Sequence, residues 1–237
     1  MRASRPTVGS VTYSHILTPE WRVYIFAIIV LFSLSSMSIA AKFGRNAAPP
    51  KNYSAFLKAY VALMVGTAML GAAFIGVPAT MPPTFIAATA LSGAGLVAAI
   101  LAVAANRLVV RNAGRAPGLA TSHRADGDDQ YQRAMRLILL TAVAILEEML
   151  FRGYLVTIAF WLSGQLLVGT ALVLSVLCFG AAHTYGGVEE ALGKLPLGAL
   201  TVLLTLGSGL LWPAIIAHVC FNLMGSRGPV VRHSVLR

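Results

Sequence analysis

The stretch that most narrows what this chain can fold into is RLILLTAVAILEEMLFRGYLVTIAFWL, residues 136–162. It reads as one long apolar helix, yet Glu147, Glu148 and Arg152 lie near its middle. The whole chain has only eight acidic residues, and two of them are adjacent here. A charged side chain at the centre of a bilayer costs about 2.5–3.5 kcal/mol on insertion scales, so these groups must face protein or trapped water rather than lipid. Residues four apart on a helix share a face, which lets Glu148 pair with Arg152. Glu147 turns away, toward Phe151, and has no partner in its own helix. The plain reading is an ion pair that locks a helix bundle. The functional reading is a carboxylate available for chemistry beside one held by an arginine, and ionisable groups at membrane depth mark functional sites by default.

Composition supports the membrane setting. Apolar residues make up 57% of the 237 positions and charged residues 11%, against about 25% charged in an ordinary soluble domain. The expected fold class is all-α, a polytopic membrane bundle of about seven transmembrane helices. A net charge of +10 would point to nucleic acid in a soluble chain. Here the lysines and arginines fall between the apolar runs, so the positive-inside bias accounts for them and no nucleic-acid partner is expected. Cys178 and Cys220 both lie in apolar runs without CxxC or zinc-finger spacing, so no disulfide framework is indicated.

In chain order, residues 1–22 are a polar segment without the form of a signal peptide. Residues 23–135 hold three spans (23–41, 56–77 and 84–105) followed by a basic loop at 106–135. The loop's Asp126, Asp128 and Asp129 resemble part of a calcium site without its distal glutamate and read, like His123, as solvated. Residues 136–225 form the core: the long span 136–162, then spans at 166–183, 195–211 and 213–225. A basic tail occupies 226–237. Fourteen of the eighteen lysines and arginines fall on one side of this arrangement, counting Lys194, and Arg2, Arg5 and Arg22 on the other. That bias places the C-terminus in the cytoplasm of a cell bounded by the plasma (inner) membrane.

The few strongly polar residues in the core spans are His183, four after Phe179 in FGAAH, and His218, four before Asn222 in HVCFN. A lone membrane histidine is more often a helix–helix hydrogen-bond partner than a catalyst. Together with the two glutamates these residues occupy three helices, and polar groups without water must find one another. A convergent Glu/His/His/Asn cluster can activate a water and donate hydrogen bonds to an oxyanion. The same donors suit zinc, with Glu147, His183 and His218 as ligands. Both routes end in amide hydrolysis. HExxH and GxSxG are absent.

EEMLFRG (147–153), FGAAH (179–183) and HVCFN (218–222) resemble the ordered motifs EExxxR, FxxxH and HxxxN/D of the CPBP family, also called the Abi or type II CAAX protease family. The family includes CAAX prenyl endopeptidases of the Ras-converting type and bacteriocin-processing or immunity proteins. The resemblance spans roughly residues 136–225 and implies an intramembrane endopeptidase, labelled a metalloprotease. By carry-over, Glu147 is the water-activating base with His183 as its partner. Glu148 and Arg152 shape and charge-balance the site. His218 and Asn222 bind or polarise the scissile carbonyl, or His218 helps hold a metal. A zinc centre and a metal-free glutamate mechanism both stay open. The implied partner is a peptide or membrane-protein substrate, prenylated or not, within the lipid bilayer. The rival readings are a non-catalytic immunity or binding protein and a proton relay or transporter, the last without visible inverted halves to support it.

Overall fold

The computed structural model describes residues 53–74, 76–78, 82, 84–112, 130–156, 168–184 and 188–225. The expected first span at 23–41, His123 with the aspartate run at 126–129, residues 157–162 of the long span and the tail at 226–237 lie outside the described residues.

Six α-helices and no strand make up the described residues. They are α1 (Tyr53–Phe74), α2 (Phe85–Asn112), α3 (Gln130–Glu148), α4 (Val168–Ala182), α5 (Val188–Ser208) and α6 (Trp212–Gly225). Helix α3 runs straight into a π-helical turn at Met149–Leu155. By length and composition, α2 and α5 can cross a membrane. The apolar runs Leu57–Ala73, Leu172–Ala182 and Trp212–Gly225 are shorter.

On α2 large side chains face outward and small ones inward, as suits a helix that packs on its neighbours through small residues. On α2, Leu96, Val97, Ile100 and Leu101 are exposed while Gly95, Ala98, Ala99 and Ala102 are buried. This small-residue stripe lets α2 approach α6 closely. At Gly95 a Cβ would lie 2.5 Å from the Pro213 carbonyl oxygen and 3.0 Å from Ile216 Cβ, so no larger residue fits without separating the helices. Trp212 Nε1 donates to Ser92 Oγ at 2.9 Å across the same seam. Helix α2 also packs on α5, while α3 lies between α1 and α6.

Three expectations need correction. The third span continues past residue 105 to Asn112, because nothing in NRLVVRN breaks a helix: the basic side chains project outward as it leaves the apolar zone. The long span starts six residues earlier than expected, at Gln130, and is not a uniform α-helix. Its π turn follows directly on the paired glutamates. A π turn bonds i to i+5 in place of the ordinary ladder, and Ser175 Oγ on α4 donates to a carbonyl within it, Phe151 O, at 3.0 Å. Finally, VEEALGK is helical rather than loop. Glu189 and Glu190 sit in the first turn of α5, where carboxylates interact well with the positive helix end.

Candidate active site

The site is built where α3 and its π turn meet α4, α5 and α6. Glu147, Glu148, Arg152, His183 and His218 are all buried among the described residues, and Asn222 is half-buried one turn beyond His218. Burial of so many charged groups is stable only when they neutralise and hydrogen-bond one another.

The expected i,i+4 pair forms. Arg152 Nε lies 3.2 Å from Glu148 Oε2, with both side chains at 0% exposure. The approach is an ion pair without hydrogen-bond alignment, since neither atom has a hydrogen-bond partner. Arg152 Nη2 donates to the Gly198 carbonyl on α5 at 3.1 Å. Its guanidinium also lies 4.4 Å from the Phe179 ring centroid, a cation–π contact. Gly198 must be a glycine for this: a Cβ there would meet Phe179 at 3.1 Å and Arg152 Nη2 at 3.4 Å.

His218 bridges the two glutamates. Its Nδ1 is 2.8 Å from Glu148 Oε1 and its Nε2 is 3.5 Å from Glu147 Oε2. An ionised carboxylate only accepts, so Nδ1 carries a proton toward Glu148. In a neutral ring Nε2 would then set its lone pair against those of Glu147 Oε2. The trio is comfortable only with one further proton, on Nε2 or on Glu147. Glu147 Oε1 accepts from the Tyr60 hydroxyl of α1 at 3.2 Å, while Oε2 has no hydrogen-bond donor.

His183 Nδ1 lies 2.8 Å from the Phe179 carbonyl oxygen, an acceptor. This places the proton on Nδ1 and leaves Nε2 as the basic nitrogen. Phe179 is the hub that joins the parts. Its ring meets Phe151 edge-on at 5.2 Å, His183 at 4.9 Å and His218 edge-on at 5.5 Å, besides Arg152.

Glu147, Glu148, Arg152 and His218 are thus brought together, His183 adjoins them through the Phe179 ring, Asn222 follows one turn after His218 on α6, and three further residues join the site. Tyr60 comes from the first described helix, 87 positions away from Glu147. A tyrosine on an apolar helix has no local signal to mark it. Phe179 stood in a motif without a role of its own. Lys194 was counted among the loop cations, but it lies within α5, half-buried, with Nζ 4.6 Å from the Phe221 ring centroid. Moving it leaves thirteen lysines and arginines on the side expected to face the cytoplasm.

The zinc expectation can be set against this geometry. Among the described residues no group of three or more His, Cys, Asp or Glu side chains converges to hold a metal. His218 turns both ring nitrogens toward carboxylates, and His183 commits Nδ1 to a carbonyl. As arranged, Glu147, His183 and His218 do not form a metal-binding set.

Residues 130–224 match the family model described as type II CAAX prenyl endopeptidase Rce1-like. This segment is similar to Rce1-like domains. It begins with α3 and ends one residue before α6 does, so it contains every motif residue of the buried cluster, and it agrees with the CPBP motifs. Tyr60 reaches Glu147 from outside the matched segment. No curated protein and no solved structure matches the chain.

Proposed function

We propose that the protein is an intramembrane endopeptidase that hydrolyses a peptide bond with a water activated by Glu147, assisted by His183. One observation carries the reading above all. Within a segment similar to Rce1-like domains, Glu147 is fully buried and presents one oxygen with no hydrogen-bond donor while Tyr60 holds the other. Such an oxygen is suited to take a proton from water.

The steps use groups already described. Water donates a proton to Glu147 Oε2 as its oxygen attacks the scissile carbonyl carbon. The carbonyl oxygen becomes an oxyanion, and the Asn222 amide donates a hydrogen bond to it, joined by the Nε2–H of a doubly protonated His218 once Glu147 Oε2 has taken the water's proton. When the C–N bond breaks, the proton held by Glu147 passes to the leaving amine. Water is thereby divided between the new carboxylate and the new amine. Glu148, held against Arg152, orients His218. The basic Nε2 of His183 steadies the water.

By the family's description the substrate class is a CAAX-type prenylated peptide, and a membrane peptide without lipid is the variant reading. The bundle is proposed to span the plasma (inner) membrane seven times with its C-terminus in the cytoplasm. Single cysteines placed at residues 51 and 230 and labelled from either side check that orientation. The decisive experiment compares protein termini in membranes carrying wild type or Glu147→Gln at equal abundance. New C-termini found only with wild type establish the protease and name its substrate. Identical termini, with the phenotype kept in the mutant, favour the non-catalytic immunity or binding role. Chelation of the purified protein with activity retained supports the glutamate mechanism, and loss restored by zinc supports the metal.

A further inference from the structure

We propose that the C-terminal end of α2 is a binding site for an anionic phospholipid, held through its phosphate by Arg107 and Arg111. Residues 85–105 of α2 carry no charge, a stretch about 31 Å long at about 1.5 Å per residue. That matches the hydrocarbon core of a bilayer, about 30 Å thick. The helix runs on to Asn112, so Arg107 and Arg111 stand at the depth of the headgroups. They lie seven and eleven residues after Ile100, close to two and three whole turns of an α-helix. Ile100, Arg107 and Arg111 therefore fall on one line along α2. Ile100 is exposed there with Val97, Leu101 and Leu108 beside it, and both arginines are exposed. The line offers apolar side chains at acyl-chain depth and guanidinium groups above them, which is the order of chemistry along a single phospholipid.

The two arginines lack a counter-ion. Among the described residues neither makes an ion pair or a hydrogen bond. Like charges four apart on a helix repel each other. A phosphate between them reverses the sign, because each planar guanidinium can give it two parallel hydrogen bonds. Any cation beside a membrane-spanning helix attracts anionic lipid by charge. This pair adds alignment with the exposed apolar line below it. The same end of α2 is fitted to α5: a Cβ at Gly193 would collide with the Asn106 side chain and touch Val110. Further along, α5 offers the Gly198 carbonyl to Arg152. A lipid that fixes the end of α2 thus braces the helix that supports the buried cluster. The inference stands apart from the protease reading, since it needs only the folded chain in a bilayer.

The test uses the full chain in phosphatidylcholine vesicles with or without phosphatidylglycerol. It reads thermal unfolding, and the phospholipid that stays with the protein on extraction into mild detergent. Phosphatidylglycerol should raise the Tm of wild type by on the order of 5 °C and should stay with the protein. Salt at about 1 M, which cuts the reach of charge attraction to about 3 Å, should weaken both effects. The double variant Arg107→Gln/Arg111→Gln should lose both. Lys58→Gln removes an exposed cation from α1 at the same end of the bundle and should respond as wild type does. Soluble glycerol phosphate should give no shift. Equal Tm and equal retention in the two vesicles overturn the inference, as does a double variant that still responds. A Lys58→Gln protein that loses the response as fully would assign it to diffuse surface charge and also overturns it. So does a shift with glycerol phosphate equal to that with lipid, which would make the site one for soluble anions. If the double variant does not accumulate, the wild-type comparison across the two vesicles and the Lys58→Gln control still decide.

Discussion

Helix α6 is gripped from two sides by opposite chemistry. Against α2 the contact is steric: Gly95 lies under the Pro213 carbonyl, small alanines line the stripe, and one Trp212–Ser92 hydrogen bond crosses it. Against α3 the contact is electrostatic: His218 spans Glu147 and Glu148, and Arg152 closes the charge balance. The first seam is what a membrane bundle needs in order to pack without a hydrophobic driving force. The second is an expensive way to join two helices, since desolvation of buried ions can exceed their attraction. A molecule with the cheap seam available has no packing reason to build the costly one, and that contrast argues for chemistry at the second.

Substitutions can separate the two seams. The largest effect should come from Arg152→Ala, which strands Glu148 in an apolar interior and should cost about 3–5 kcal/mol. Thermal unfolding and protein level both report it, and normal stability at full abundance would break the account of the pair. Next is Glu147→Gln, which keeps shape and should reduce turnover by about 10²–10⁴-fold with abundance near that of wild type. If abundance collapses with activity, the glutamate is structural and the comparison fails. Gly95→Ala tests the steric seam alone. Overpacking should cost about 1–3 kcal/mol, and activity per folded molecule should be retained. The smallest effect belongs to Tyr60→Phe, which removes one hydrogen bond worth about 1 kcal/mol. Turnover should fall by about tenfold or less, with KM held. A change in KM instead would place Tyr60 on the substrate rather than on Glu147.

The parts of the site legible in the chain were those with local spacing. Glu148 and Arg152 pair because four residues make about one turn. Glu147, His183, His218 and Asn222 stood out because polar groups are rare in apolar runs. Lys194 was misplaced for a related reason: a lysine next to a polar stretch looks like a loop residue, and only the helical start at Val188 draws it into the bundle. The end of the third span was missed because hydropathy marks where a helix leaves the apolar zone, not where its backbone hydrogen bonds stop.

An all-helical chain with membrane-capable apolar segments, and a set of polar residues obliged to meet at depth, follow from the sequence itself. Both rest on one physical fact, that hydrocarbon offers no partner to a polar group. Which partner each group takes was decided only in three dimensions. Tyr60 reaching Glu147, Phe179 joining both histidines to Arg152, and Gly198 offering its carbonyl to the guanidinium all depend on how helices far apart in sequence are set against one another. The π turn after Glu148 belongs to the same class. Ser175 from α4 donates to the Phe151 carbonyl within it, and no single segment carries that information.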